Sequence, residues 1–163
     1  MIDKIPNKLF FDQVENEIKK GNNVKLVVQG TSMMPFFRSG RDYVILAPVK
    51  EPDKRHTSLK RGDIVLFYHH DTIKLHRIMH INGTLLRIKG DANYGRYEKV
   101  TASDVIGVVI EGSCMGGHTF KANSKTILTY SKLWINTYLF RHQVVRFFHV
   151  IKRILKKINK LFK

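Results

Sequence analysis

The pattern of apolar and polar positions divides this chain into one short helix, a run of strands and a second helical stretch. Between residues 8 and 20, Phe10 or Phe11, Val14 and Ile18 recur at helical spacing, with Glu15, Glu17, Lys19 and Lys20 off the stripe. Gly21 is a natural stop. The period then falls to two. Strands are predicted over Val24–Gln29, Tyr43–Ala47, Asp63–Tyr68, Ile73–Ile81, Leu85–Lys89 and Val105–Ile110, all rich in β-branched or aromatic residues. Asn82-Gly83 reads as a two-residue hairpin turn, and residues 50–61 as a polar loop. Arg61-Gly62-Asp63 reads as a turn before a core strand. The expected fold is mainly β: a coiled antiparallel sheet or partly closed barrel, with an N-terminal helix.

From residue 122 the pattern becomes helical again and stays so. Asn123-Ser124 offers a cap, and neither Pro nor Gly follows. Val144, Val145, Phe148, Ile151, Ile154 or Leu155, Ile158, Leu161 and Phe162 form an apolar stripe, and Arg and Lys fill the other faces. Two parts are expected, a compact catalytic domain over 1–121 and a basic amphipathic helical tail over 122–163. Charge sharpens this division. The 163 residues carry 29 Lys and Arg against 13 Asp and Glu, for a net charge of +16. The last acid is Glu111. Gly112 to Lys163 holds 11 of the basic residues, which leaves the first 111 with 18 basic and 13 acidic, or +5. A basic tail with an apolar face and the aromatics Trp134, Tyr138 and Phe140 fits an anionic membrane surface, met through residues 133–163. Nucleic acid would use the cations and leave the apolar stripe without a partner.

The longest uncharged run in the tail, Leu133 to Phe140, has eight residues, far short of the ~20 that span a bilayer. The N-terminus lacks the layout of an export signal. Both lead to the expectation of a cytoplasmic protein, peripherally bound to membrane. The single cysteine, Cys114, rules out an internal disulfide. His76 and His80 would stand ~13 Å apart on one strand, too far to share a metal ion. Neither a metal nor a cofactor is expected.

Candidate chemistry sits in four boxes. Gly30-Thr31-Ser32-Met33-Met34-Pro35 follows an apolar strand, where Gly permits a sharp turn and Pro stops the ladder. Then come Arg61-Gly62-Asp63-Ile64-Val65, Lys74-Leu75-His76-Arg77-Ile78 and Lys89-Gly90-Asp91-Ala92-Asn93. A serine hydroxyl needs a base within hydrogen-bond reach, and His76 is the natural one. An Asp in a Gly-Asp turn could orient the imidazole.

This ordered set, over roughly residues 24–110, resembles the signal peptidase superfamily, which includes LexA-like self-cleaving repressors. Those with lysine as base carry it just before Arg. Here that place is His76, as in the endoplasmic-reticulum, archaeal and sporulation-type branch. The resemblance implies a serine endopeptidase that cleaves leader or precursor peptides near a membrane. It assigns Ser32 as nucleophile, His76 as general base and Asp91 as acidic partner. Lys74 shares the strand face of His76, but Arg77 fixes the register in favour of His76. That branch tends to carry a second Asp after Lys-Gly-Asp. Here the next acids are Glu98 and Asp104, and Asp104 is the alternative partner. The Ser32 N–H would serve the oxyanion. The second donor is open, because the place of a hydroxyl in some relatives is Gly30, with Thr31 beside it. The turn that includes Met33 and Pro35 would help to form the substrate groove. Two other readings remain, a LexA-like self-cleaving regulator and a catalytically silent membrane-binding module. Only 31 residues precede Ser32, which leaves little room for a DNA-binding domain and a cleavage loop.

Overall fold

The computed structural model describes residues 7–49, 58–70 and 72–144. Helix α1 (Asn7–Lys19) precedes strands β1 (Val24–Val27), β2 (Tyr43–Ala47), β3 (Ile64–His69), β4 (Thr72–Asn82), β5 (Leu85–Lys89), β6 (Glu98–Thr101), β7 (Val105–Cys114) and β8 (His118–Lys121). Helix α2 (Lys125–Asn136) follows, and a further helix, α3, runs from residue 138 to 144, the last described. The tail stripe beyond Val144 lies outside the described residues.

All eight strands join one antiparallel sheet in the order β1-β2-β7-β3-β4-β5-β6, with β8 on the far part of β7. The sheet is open, so the partly closed barrel among the expectations is not formed. Strand β1 is a free edge. Two strands lie outside the sequence pattern, β6 and β8. Each has four residues and none or one that is buried, too few to display a period. The hairpin after β4 also shifts by one residue. Asn82 still pairs with Leu85, so the turn is Gly83-Thr84, with positive φ at Gly83 alone, the type II′ pattern.

Alternation along β3 separates two cores. Ile64 and Leu66 pack with Val14 and Ile18 of α1, Leu26, Val44 and the aromatic pair Phe36–Phe37. Val65 and Phe67 face the other way, onto Ile78, Leu86, Ile88 and Val100. Helix α1 thus buries the stripe its spacing predicts. Its Glu15 accepts a hydrogen bond from Tyr68 of β3 at 2.7 Å. Ser124 caps α2 by accepting from the Ile127 N–H. Tyr130 of α2 stacks on Phe36, and Ser131 and Ile135 are buried against the body.

The largest fully buried side chain is Arg77 on β4. Its Nε and Nη2 reach the two carboxylate oxygens of Asp91 at 2.9 and 2.8 Å, and its Nη1 reaches the Gly62 carbonyl and Ser131 Oγ. Removing one member of such a pair leaves an uncompensated buried charge. Arg77→Met and Asp91→Asn are each expected to cost about 3–5 kcal/mol of unfolding free energy in urea. The double variant Arg77→Met/Asp91→Leu should recover a large part of that loss.

Candidate functional site

Ser32 lies in a string of turns between β1 and β2. Gly30 opens it with φ +83°, and its N–H donates to Ser39 Oγ at 3.0 Å. The Met34 N–H donates to the Thr31 carbonyl and Phe37 N–H to Met33. The far end is pinned by the fully buried Asp42, whose carboxylate accepts from the Arg38 N–H at 2.7 Å and from the Gly116 N–H. Ser32 is half-buried, and its carbonyl accepts from the Ala92 N–H at 2.8 Å, which ties this turn to the Lys-Gly-Asp stretch.

His76 is 3% exposed on β4 and opposes Val65 of β3. Gly90 is the meeting point of the boxes. A Cβ placed on Gly90 would stand 2.6 Å from the Ser32 carbonyl oxygen and 2.9 Å from His76 Nε2, closer than real Cβ contacts come. The absence of a side chain lets the serine turn and the imidazole share this space. Among the described residues, Ser32 Oγ is not hydrogen-bonded to the ring.

The other ring nitrogen, Nδ1, lies 2.6 Å from Glu98 Oε2. Glu98 Oε1 accepts from Lys74 at 2.7 Å. Burial pushes the Glu98 carboxyl upward, but the hydrogen bonds from His76 and Lys74 outweigh it and bring it down to about 2. A carboxylate on Nδ1 holds the proton there and leaves Nε2, the nitrogen beside Gly90, as the acceptor.

Asp91 therefore does not fill the role expected of it. Both of its oxygens are taken by Arg77, on the opposite face of β4 from His76. Asp104 is not at the imidazole either. It closes a 3-10 turn (Ala102–Asp104) by accepting from the Thr101 N–H. The carboxylate at His76 is Glu98, at the start of β6. A signal for it was present. Strand alternation puts Lys74 and His76 on one face and Arg77 on the other, and residues 90–100 hold two acids, one for each face.

The turn residues expected to form a substrate groove do not line one together. Met33 is 2% exposed and packs in the core, while Thr31 and Pro35 are exposed. A groove of about 340 Å³ instead lies between Phe10 and Phe11 of α1, Leu26 and Val28 at the β1 edge, and Ile73 and Leu75 of β4. Its lining includes none of Ser32, His76 and Glu98, and Ile73 and Leu75 stand on the opposite face of β4 from His76. A second cavity, of about 300 Å³, lies between α2 and the turn before β3 and includes neither Ser32, His76 nor Glu98 in its lining.

Cys114 is buried at the end of β7, where burial and the nearby Asp42 push its thiol up, so it is poorly suited to act as a nucleophile. Among the described residues, no group of three or more His, Cys, Asp or Glu could hold a metal ion. Likewise, no helix among them is long and apolar enough to cross a membrane. No protein-family model, curated protein or solved structure matches this chain.

Two outcomes follow for the site. Gly90→Ala should push the Ser32 turn and the His76 ring apart, giving a new His76 ring environment by NMR while the circular dichroism stays that of the parent. The pH dependence of stability has a definite sign for Glu98. Its folded-state value lies below the ordinary 4.5. Its contribution is therefore present above that value and is lost as pH falls through it toward about 2. In Glu98→Gln, urea midpoints should fall less steeply over that window than in the parent.

Proposed function

We propose that this protein is a serine endopeptidase in which Ser32 is the nucleophile, His76 the general base and Glu98 the carboxylate that supports it. The observation that carries this reading is the convergence at Gly90. The serine turn and His76 Nε2 face one point, while the other ring nitrogen holds a half-buried carboxylate. Ser32 Oγ attacks a peptide carbonyl carbon and passes its proton to His76 Nε2. The imidazolium is stabilised by Glu98, and the proton goes on to the leaving amine. Water, deprotonated by the same nitrogen, then releases the acyl group and restores the Ser32 hydroxyl. The backbone N–H of Ser32 is the donor nearest the developing oxyanion.

The substrate class that fits is an extended segment of a leader or precursor peptide. Val28 exchanges hydrogen bonds with Asp42 and Gly40 on the β2 side. By alternation, Lys25, Val27 and Gln29 turn their backbone groups to the open edge of the sheet. A peptide laid there gains main-chain hydrogen bonds, and its apolar side chains enter the groove by Phe10, Leu26 and Ile73. The signal peptidase-like order of boxes supports the same reading.

A second observation bears on where the chemistry takes place. The outer faces of α2 and α3 carry Leu128, Leu133, Leu139 and Phe140, the last two about 70% exposed, beside Lys125 and Lys132. No acid follows Glu111. This surface suits the headgroup region of an anionic bilayer.

Serine acylation tests the chemistry without knowledge of the substrate. A fluorophosphonate probe is expected to label the parent chain at Ser32, to leave Ser32→Ala unlabelled and to react at least about 100-fold more slowly with His76→Ala. Full labelling of Ser32→Ala, or none of the parent, would sink the endopeptidase reading and favour a non-enzymatic membrane module. A fragment that appears on long incubation of the parent but not of Ser32→Ala would point to self-cleavage. For the surface, vesicles of phosphatidylglycerol with phosphatidylcholine should co-sediment the chain more strongly than phosphatidylcholine alone. Leu133→Ser/Phe140→Ser should weaken that binding about tenfold or more.

A further inference from the structure

Lys89 ends β5 inside the Lys-Gly-Asp stretch, and the chemistry above makes no use of it. It is 3% exposed. An ammonium so enclosed loses its water and needs replacement partners. Burial pushes it below the ordinary lysine range, and the nearby Tyr97 and Glu98 act in the other direction.

Its partners come from two separate parts of the chain. Nζ donates to the Gly95 carbonyl at 2.5 Å and to the Tyr138 hydroxyl. It also sits over the rings of Tyr97 and Tyr138, at 4.2 and 4.3 Å from their centroids. Gly95 and Tyr97 belong to residues 90–97, a stretch without regular structure that leads straight into Glu98. Tyr138 begins α3. One turn on, His142 stacks against Tyr138 and against Tyr94 of the same stretch, with centroids 6.0 and 5.8 Å away. The approach to Glu98 is thus clasped to α3 by aromatic rings, with one buried cation as the polar pin.

We propose that Lys89, held by Tyr97 and Tyr138, is a positioning residue for Glu98. It ties the segment that leads into Glu98 to α3, so the seating of the C-terminal helices sets the carboxylate on His76. Anything that draws on the outer face of α3 acts on the same pin. The effect on rate rests on the serine-hydrolase reading; the effect on the Glu98–His76 contact does not.

The test uses the full chain and two conservative variants. Lys89→Met keeps the stem and removes the ammonium. Tyr138→Phe keeps the ring, removes one acceptor and should fold even where Lys89→Met does not. The first readout is the downfield proton resonance of His76 Nδ1–H, the signature of a short imidazole–carboxylate hydrogen bond. It is expected in the parent, lost in Glu98→Gln, and lost or moved upfield in both variants. The second is the rate of Ser32 acylation by the fluorophosphonate. Lys89→Met should lower it about 10- to 100-fold, as a misplaced supporting group does. Added to Glu98→Gln it should lower it no further, because the two act through one contact. Persistence of the downfield signal unchanged in both variants, its absence from the parent, or a Lys89→Met effect that multiplies with Glu98→Gln would each overturn the proposal. A parent chain that shows the resonance but is never acylated would fail the endopeptidase reading alone and leave the resonance to decide the role of Lys89.

Discussion

The buried pair between Arg77 and Asp91 is the contact on which the other parts of the structure converge. A guanidinium with no exposure must have its charge neutralised and its donors satisfied. Here Asp91 accepts two bonds, Gly62 gives a carbonyl and Ser131 a hydroxyl, and the ring of Phe36 lies 5.1 Å away. Those partners come from the Lys-Gly-Asp stretch, the turn before β3, α2 and the serine turn. One side chain thus gathers four segments that are far apart in the chain. Its cost of desolvation also makes the arrangement specific, because any other packing strands a charge.

The neighbour of Arg77 lies on the opposite face of the same strand. A pleated strand alternates its side chains, so His76 and Arg77 cannot share a face. Each then requires its own acid. Asp91 neutralises the structural cation, and Glu98 takes the Lys74–His76 side. The proposed chemistry sits at the surface end of a scaffold whose rigidity comes from the other face, and Gly90 is thin enough for the two halves to meet.

The C-terminal helices belong to this body as well as to the basic tail. Tyr130 stacks on Phe36, Ser131 bonds Arg77, and Tyr138 receives Lys89. Their inner faces are committed to the sheet, while their outer faces keep exposed Leu and Phe among lysines. The proposed membrane contact and the proposed brace on Glu98 thus fall on opposite faces of the same helices. Most of the net charge, 11 of the +16, comes from the whole stretch after Glu111 rather than from the groove or from the turn of Ser32.

Much of this was legible in the sequence. Ser32 and His76 were singled out by the ordered boxes and the resemblance they carry, whereas the α1 stripe of Val14 and Ile18 and six of the strands follow from local periodicity and from turn residues at strand ends. Such signals depend only on which neighbours share a face, and that is set by backbone geometry. The short strands β6 and β8 could not be read, since four residues with at most one buried show no period. The partner of His76 was missed for the same reason, because Glu98 opens β6. A local reading of Gly-Asp favours Asp91, the acid in the recognisable box. Only the tertiary structure assigns it to Arg77, because pairing across the sheet decides which carboxylate meets which cation. The sequence by itself determined which side chains could do chemistry and on which strand faces they stand; the fold decided their partners, since a buried charge must be neutralised by whatever the packing brings within reach.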